Sequence, residues 1–276
     1  MDVTQDEGRV KAALARAEAH SPFLKLQIGN FPEVAAALAV EDVQGALAAA
    51  ERAGGGAASE TQALRRERSA LALALGVADL AGAMSFEEVT ARLSDFADAA
   101  IERALADVIR IRTPDAEPKG FAVIALGKHG SRELNYSSDV DLLFLYDPAA
   151  LPLKAGEDAG QGAVRIGQRL IEALQKRDAD GYVFRVDMRL RPSPEVTPVA
   201  LPVNAAISYY ESSALPWERA AFIRARGVGG DGELARYFHE AIHPFVWRRS
   251  LDFGAIGEVQ SITRRIRDHF AQGQIF

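Results

Sequence analysis

The sequence predicts an α+β protein: a small mixed β-sheet with flanking helices, preceded and followed by helical regions. Three observations predict it. The first third is alanine-rich, with apolar residues at helical spacing. From Gly120 the pattern changes to short apolar runs bounded by glycines, the mark of buried strands. Beyond Pro192 the helical pattern returns.

In the first third, Val10, Ala13, Leu14 and Ala17 share one face of a predicted helix over 9–19. Val43, Ala46, Leu47 and Ala50 do the same over 41–52. Gly54-Gly55-Gly56 breaks the pattern, and a further helix is predicted over 61–75, ending near Gly76. Ser85 and Glu88 form a capping-box pair, followed by the stripe Val89, Leu93, Phe96, Ala100, Ile101, Leu105 and Val108. Pro114 and Pro118 bracket a polar linker that ends this region.

Phe121 to Leu126 and Val140 to Tyr146 read as two buried strands, separated by the two-glycine turn Gly127-Lys128-His129-Gly130-Ser131. A helix over 161–177 and a third strand from Tyr182 to Leu190, stopped by Pro192, follow. Helices are then predicted over 215–226, 232–247 and 256–270.

Composition narrows the function. The 276 residues are 48% hydrophobic and 25% charged, an ordinary globular balance. A net charge of -6 disfavours nucleic acid as the main partner. No apolar run approaches the roughly 20 residues that span a bilayer, so no membrane partner is expected. There is no cysteine, which excludes disulfides and thiolate metal sites and agrees with a reducing cytoplasm. A metal would therefore need oxygen or histidine ligands, and oxygen suits Mg2+ or Mn2+.

Asp139 and Asp141 are two apart, so on a strand both project from one face. Paired carboxylates on a buried strand repel and lose hydration, which is costly unless a cation sits between them. In the third predicted strand Arg185, Asp187 and Arg189 alternate onto one face, and Asp187 could complete an oxygen site for one or two metal ions. The arginines would contact phosphate or hold the carboxylates. Gly130 and Ser131 precede this site, where a glycine lets backbone approach a phosphate. Lys128, Ser138, Arg189 and Arg191 are the remaining candidate nucleotide or phosphate contacts. His129 has no histidine partner at ligand spacing and reads as structural. Trp217-Glu218-Arg219 reads as a packing and ion-pair cluster, and Glu133 as a residue supporting the turn.

The stretch Gly127 to Leu142, GKHGSRELNYSSDVDL, resembles the signature of glutamine synthetase adenylyltransferases, members of the DNA-polymerase-beta-like nucleotidyltransferase superfamily. Phe184 to Pro192, Trp217 to Arg219, Ala221 to Asp231 and Arg248 to Ile256 are similar to further parts of that family. His129 stands where leucine is usual, Ser131 where glycine is common, and Gly227 where proline is usual; none of these touches the three acids. The resemblance implies that Asp139, Asp141 and Asp187 are the catalytic, metal-binding acids and that Mg2+ (or Mn2+) is the cofactor. It implies ATP or ADP, phosphate, glutamine synthetase and a PII-type signal protein as partners. Family members are bifunctional, one half attaching AMP to a tyrosine of glutamine synthetase and the other removing it by phosphorolysis to give ADP. A single motif after roughly 120 residues of helical N-terminus resembles the adenylyl-removing half of such a protein. The organisation expected is a helical region over 1–113, a nucleotidyltransferase domain over 114–250, and the start of another helical region over 251–276. The adenylylating direction, and a regulatory nucleotide- or PII-binding module without activity of its own, are the alternatives.

Overall fold

A computed structural model describes residues 8–247 and, beyond them, 257, 260, 261, 264, 267 and 268. In chain order the helices α1 (Arg9–His20), α2 (Pro22–Asn30), α3 (Pro32–Ala39), α4 (Val43–Glu51), α5 (Glu60–Leu80) and α6 (Phe86–Arg112) come first. They are followed by β1 (Phe121–Ala125), the short α7 (Gly127–Gly130), β2 (Val140–Tyr146), α8 (Ala159–Gln175) and β3 (Val186–Asp187). Then come β4 (Ala200–Pro202), α9 (Val203–Ser212), α10 (Pro216–Phe222), β5 (Arg226–Gly230) and α11 (Gly232–Val246). The fold is α+β, with a mixed five-stranded sheet. No helix among the described residues is long and apolar enough to cross a membrane.

The chain folds into two compact units interleaved in sequence. One comprises the residues up to Val108, Arg132–Asp139 and Arg169–Val186; the other comprises Ile109–Ser131, Val140–Gln168 and the chain from Asp187 onward. In the first unit α5 is buried almost all round, through Leu64, Leu73, Leu75 and Val77, and packs against α1 to α4. Residues 70–78 of α5 are apolar on every side, as in a core helix. Arg103 ties the unit's polar rim, donating to Glu60 and Glu67 at 2.6 Å each. Ser85 and Glu88 exchange amide bonds of 3.2 and 2.7 Å, as a capping box requires.

In the second unit the sheet runs β3-β2-β1-β5, with β4 pairing parallel to β2. β1 lies antiparallel to β2, Val123 facing Phe144, and antiparallel to β5. Every residue of β1 is buried, and in β2 only Asp141 is not. Ile124, Leu143, Leu145, Phe238, Ile242 and Tyr210 build the core on one face of the sheet. Phe121 and Phe144 meet on the other, ring centres 5.6 Å apart and tilted by 48°.

Several local expectations are corrected. The helix expected to end near Gly76 continues to Leu80, because Val77 and Ala78 beyond it are buried, and packing outweighs the weak helix propensity of one glycine. The third strand is only Val186–Asp187. The amides of Val183 and Phe184 instead bond the Leu174 carbonyl at the end of α8, and the Arg189 amide bonds the Asp187 carboxylate. The helix expected over 215–226 stops at Phe222, and Arg226 opens β5. α2, α3, α9, β4 and β5 were not anticipated individually. Six residues of the helix expected over 256–270 are described, and these are helical. The motif Arg248–Ile256 lies outside the described residues.

Asp231 caps α11. Its Oδ1 accepts from the amides of Glu233 and Leu234 at 3.0 Å, and its Oδ2 from Gly120 at 2.9 Å. Burial pushes its carboxyl up, but these amide bonds outweigh burial and hold it below the usual Asp value. Asp231→Ala is expected to lower stability by about 1–2 kcal/mol in denaturant unfolding. Because its folded pKa is depressed, the contribution is complete above about pH 4 and fades as pH falls through the lowered pKa. The gap between wild type and variant should therefore shrink in acid.

Candidate active site

Within the sheet unit, β2 carries Asp141 and its neighbour β3 carries Asp187. Asp141 is the one residue of β2 that keeps solvent access. Its carboxylate occupies room left by Gly127, where a methyl would stand 2.3 Å from Oδ2. Gly127 also has φ +55°, so it is needed for conformation as well as for space. Asp187 is held by Arg189: the amide and Nε reach Oδ1 at 2.8 and 3.0 Å, and Nη2 reaches Oδ2 at 2.5 Å. The Arg189 side chain hydrogen bond holds the Asp187 carboxyl below its ordinary value, against the opposing effect of burial.

Asp139 directly precedes β2 and belongs to the helical unit. Arg185, in the same unit, donates Nε to Asp139 Oδ1 at 2.5 Å and Nη2 to the Ser137 carbonyl at 2.7 Å. The loop before it is built by side chains. Asn135 Oδ1 accepts from the Ser138 hydroxyl at 2.9 Å and the Ser137 amide at 3.2 Å. The Leu134 amide bonds Ser94, and Arg132, at φ +60°, pairs with Asp95 at 2.5 Å.

The remaining candidates are distributed less uniformly. Gly130 lies against backbone: a methyl there would stand 2.1 Å from the Arg224 carbonyl oxygen and 2.9 Å from that of Ala125. The amides of Gly130 and Ser131 bond back to Leu126 and Gly127 within α7. The Ser131 hydroxyl donates to the Gly127 carbonyl and accepts from Arg224. Lys128 is exposed. Arg191 donates to the carbonyls of Met188, Pro194 and Thr197 and so braces the loop after β3. His129 is fully buried, and its carbonyl accepts from Arg226. Glu218 is buried and accepts from Tyr209 and the Leu215 amide.

Sequence reasoning missed Gly127 as the residue that makes room for Asp141, and missed Arg224 and Arg226 as the brackets of the turn. Gly127 carried a signal, since it closes the apolar run just before the acidic strand. The two arginines lie in the family-like stretch Ala221 to Asp231, but nothing local ties them to a turn 93 and 97 residues away.

Carboxylate oxygens are the donors that Mg2+ or Mn2+ takes, and the acids fit those ions chemically. Among the described residues, no three acidic, histidine or cysteine side chains lie close enough to hold one ion. Guanidinium groups of Arg185 and Arg189 supply the opposing charge at Asp139 and Asp187.

Residues 10–241 match the family model described as glutamate-ammonia ligase adenylyltransferase. Three relatives share the name bifunctional glutamine synthetase adenylyltransferase/adenylyl-removing enzyme. That of Xanthobacter autotrophicus is 49% identical over 229 residues, covering 79% of this chain and 23% of the relative. That of Caulobacter vibrioides is 41% identical over 282 residues, covering 95% and 29%. That of Rhizobium meliloti is 39% identical over 289 residues, covering 96% and 29%. The chain thus spans between a quarter and a third of the length of most of these relatives, and slightly less of the first. With a family match across most of its length, the chain belongs to the glutamate-ammonia ligase adenylyltransferase family.

Proposed function

We propose that this chain is a metal-dependent nucleotidyltransferase that removes AMP from glutamine synthetase by phosphorolysis. The observation that carries the reading is the placement of Asp141 and Asp187 on neighbouring strands of one sheet, with Asp139 two residues from Asp141. An oxygen of inorganic phosphate attacks the phosphorus of adenylyl-tyrosine in line. The bond from that phosphorus to the tyrosine oxygen breaks, tyrosinate leaves, and AMP joined to phosphate departs as ADP. Asp139, Asp141 and Asp187 would hold Mg2+ (or Mn2+), whose charge screens the two anions from each other. A carboxylate can accept from an arginine and bind a metal ion at once, so Arg185 and Arg189 can orient Asp139 and Asp187 while facing phosphate.

The setting proposed is the cytoplasm, with glutamine synthetase as the protein substrate, ATP or ADP as nucleotide and a PII-type signal protein as regulator. Support for glutamine synthetase comes from the names of the relatives. Those names carry both directions, so direction is what the experiment must decide. Labelled phosphate supplied with adenylylated glutamine synthetase and Mg2+ is expected to emerge in ADP. Label passing instead from ATP to unmodified glutamine synthetase would make this the adenylylating half. Nucleotide binding with no transfer in either direction would make it a regulatory module.

A further inference from the structure

The helical unit contains a cavity of about 630 Å³, within the range of small-molecule sites. Its wall is drawn from α2, α5, the segment at Tyr136-Ser137 and the segment at 177–183. Leu24, Ala72 and Val183 give it an apolar floor, and Phe23, Tyr136 and Tyr182 supply aromatic rings.

Arg68 of α5 lines this cavity, and its surroundings are unusual for a cation. The neighbouring Arg65 pairs with Asp178, and Arg103 pairs with Glu60 and Glu67. Arg68 has no carboxylate partner among the described residues. It donates Nη2 to the Tyr136 carbonyl at 2.7 Å and lies 5.4 Å from the centre of the Phe184 ring. Its Nε is out of solvent and makes no hydrogen bond. A guanidinium held this way, without an opposing charge, is costly. Burial accordingly pushes its pKa down. Arg177, a second lining cation, is exposed and also lacks a carboxylate partner among the described residues. Asp79, the only acid in the lining among the described residues, is engaged by the Tyr136 hydroxyl at 3.1 Å.

We infer that this cavity is a binding site for a small aromatic anion, whose phosphate or carboxylate pairs with Arg68 and whose ring lies among Phe23, Tyr136 and Tyr182. An anion replaces the missing counter-charge, and an aromatic body matches the apolar wall. This inference does not depend on the proposed reaction.

The test is calorimetric titration of the full 276-residue chain with phenyl phosphate, benzoate and inorganic phosphate as probes. Phenyl phosphate or benzoate is expected to bind saturably with one site, and inorganic phosphate at least roughly tenfold more weakly, for want of apolar contact. Arg68→Met should weaken the aromatic anion by roughly tenfold or more while keeping the fold, as read by circular dichroism. Ser69→Leu, which keeps the guanidinium and narrows the cavity, should weaken it independently and covers the case in which Arg68→Met does not fold. Asp139→Asn should leave binding in place. No saturable binding of either aromatic anion would overturn the inference. So would binding that Arg68→Met and Ser69→Leu leave unchanged, or that Asp139→Asn abolishes.

Discussion

Asp141→Asn is expected to reduce turnover by on the order of 10³-fold or more while leaving the fold intact. Asparagine has the same shape, so the room beside Gly127 is still filled and the buried strand around it is not disturbed. What is lost is one negative charge on the edge proposed to face the metal. Metal neutralisation of a transferring phosphoryl group contributes several kcal/mol, and each 1.36 kcal/mol is about tenfold in rate. The same variant should bind Mn2+ more weakly, as read by electron paramagnetic resonance of the free ion. Unchanged Mn2+ affinity together with unchanged turnover would remove Asp141 from the site.

Gly130→Ala is expected to act through stability. Its new methyl would meet the Arg224 carbonyl oxygen at 2.1 Å and the Ala125 carbonyl oxygen at 2.9 Å. Both are backbone atoms, so no side-chain rotation relieves the contact. The turn carrying Ser131 must move away from the Arg224 backbone, which strains the bond from the Arg224 guanidinium to the Ser131 hydroxyl. A loss of about 3 kcal/mol or more is expected, at the upper end for an overpacked site. Thermal unfolding reads it. A variant as stable as wild type would show that the turn is loosely packed against Arg224.

The parts of the fold that were legible in the sequence are those set by local signals. Phe121 to Ala125 and Val140 to Tyr146 are apolar on both faces because both faces of the sheet are covered, so each run marked itself. Ser85 and Glu88 marked the start of α6 through their own side chains. β5 was not legible: Arg226-Gly-Val-Gly-Gly has a single β-branched residue, and it is a strand because it pairs with β1. The third strand was overestimated for the converse reason, since the amides of Val183 and Phe184 bond the end of α8.

The candidate site divides the same way. Asp139-x-Asp141 is a pattern within one segment, and spacing alone picks it out. The pairing of Asp139 with Arg185 joins residues 46 apart and depends on how the helical unit brings them together. Arg191 looked equivalent to Arg189 in sequence, yet Arg189 clamps Asp187 while Arg191 braces a loop through three carbonyls. Two arginines two residues apart differ here because the chain turns directly after Asp187, which alternation along an extended strand could not foresee.

The most direct measurement is intact-mass spectrometry of adenylylated glutamine synthetase incubated with this chain, Mg2+ and inorganic phosphate. Loss of the AMP mass with matching formation of ADP is predicted, and no loss when Asp139→Asn replaces the wild-type chain. Removal of AMP by Asp139→Asn at the wild-type rate would contradict the proposal.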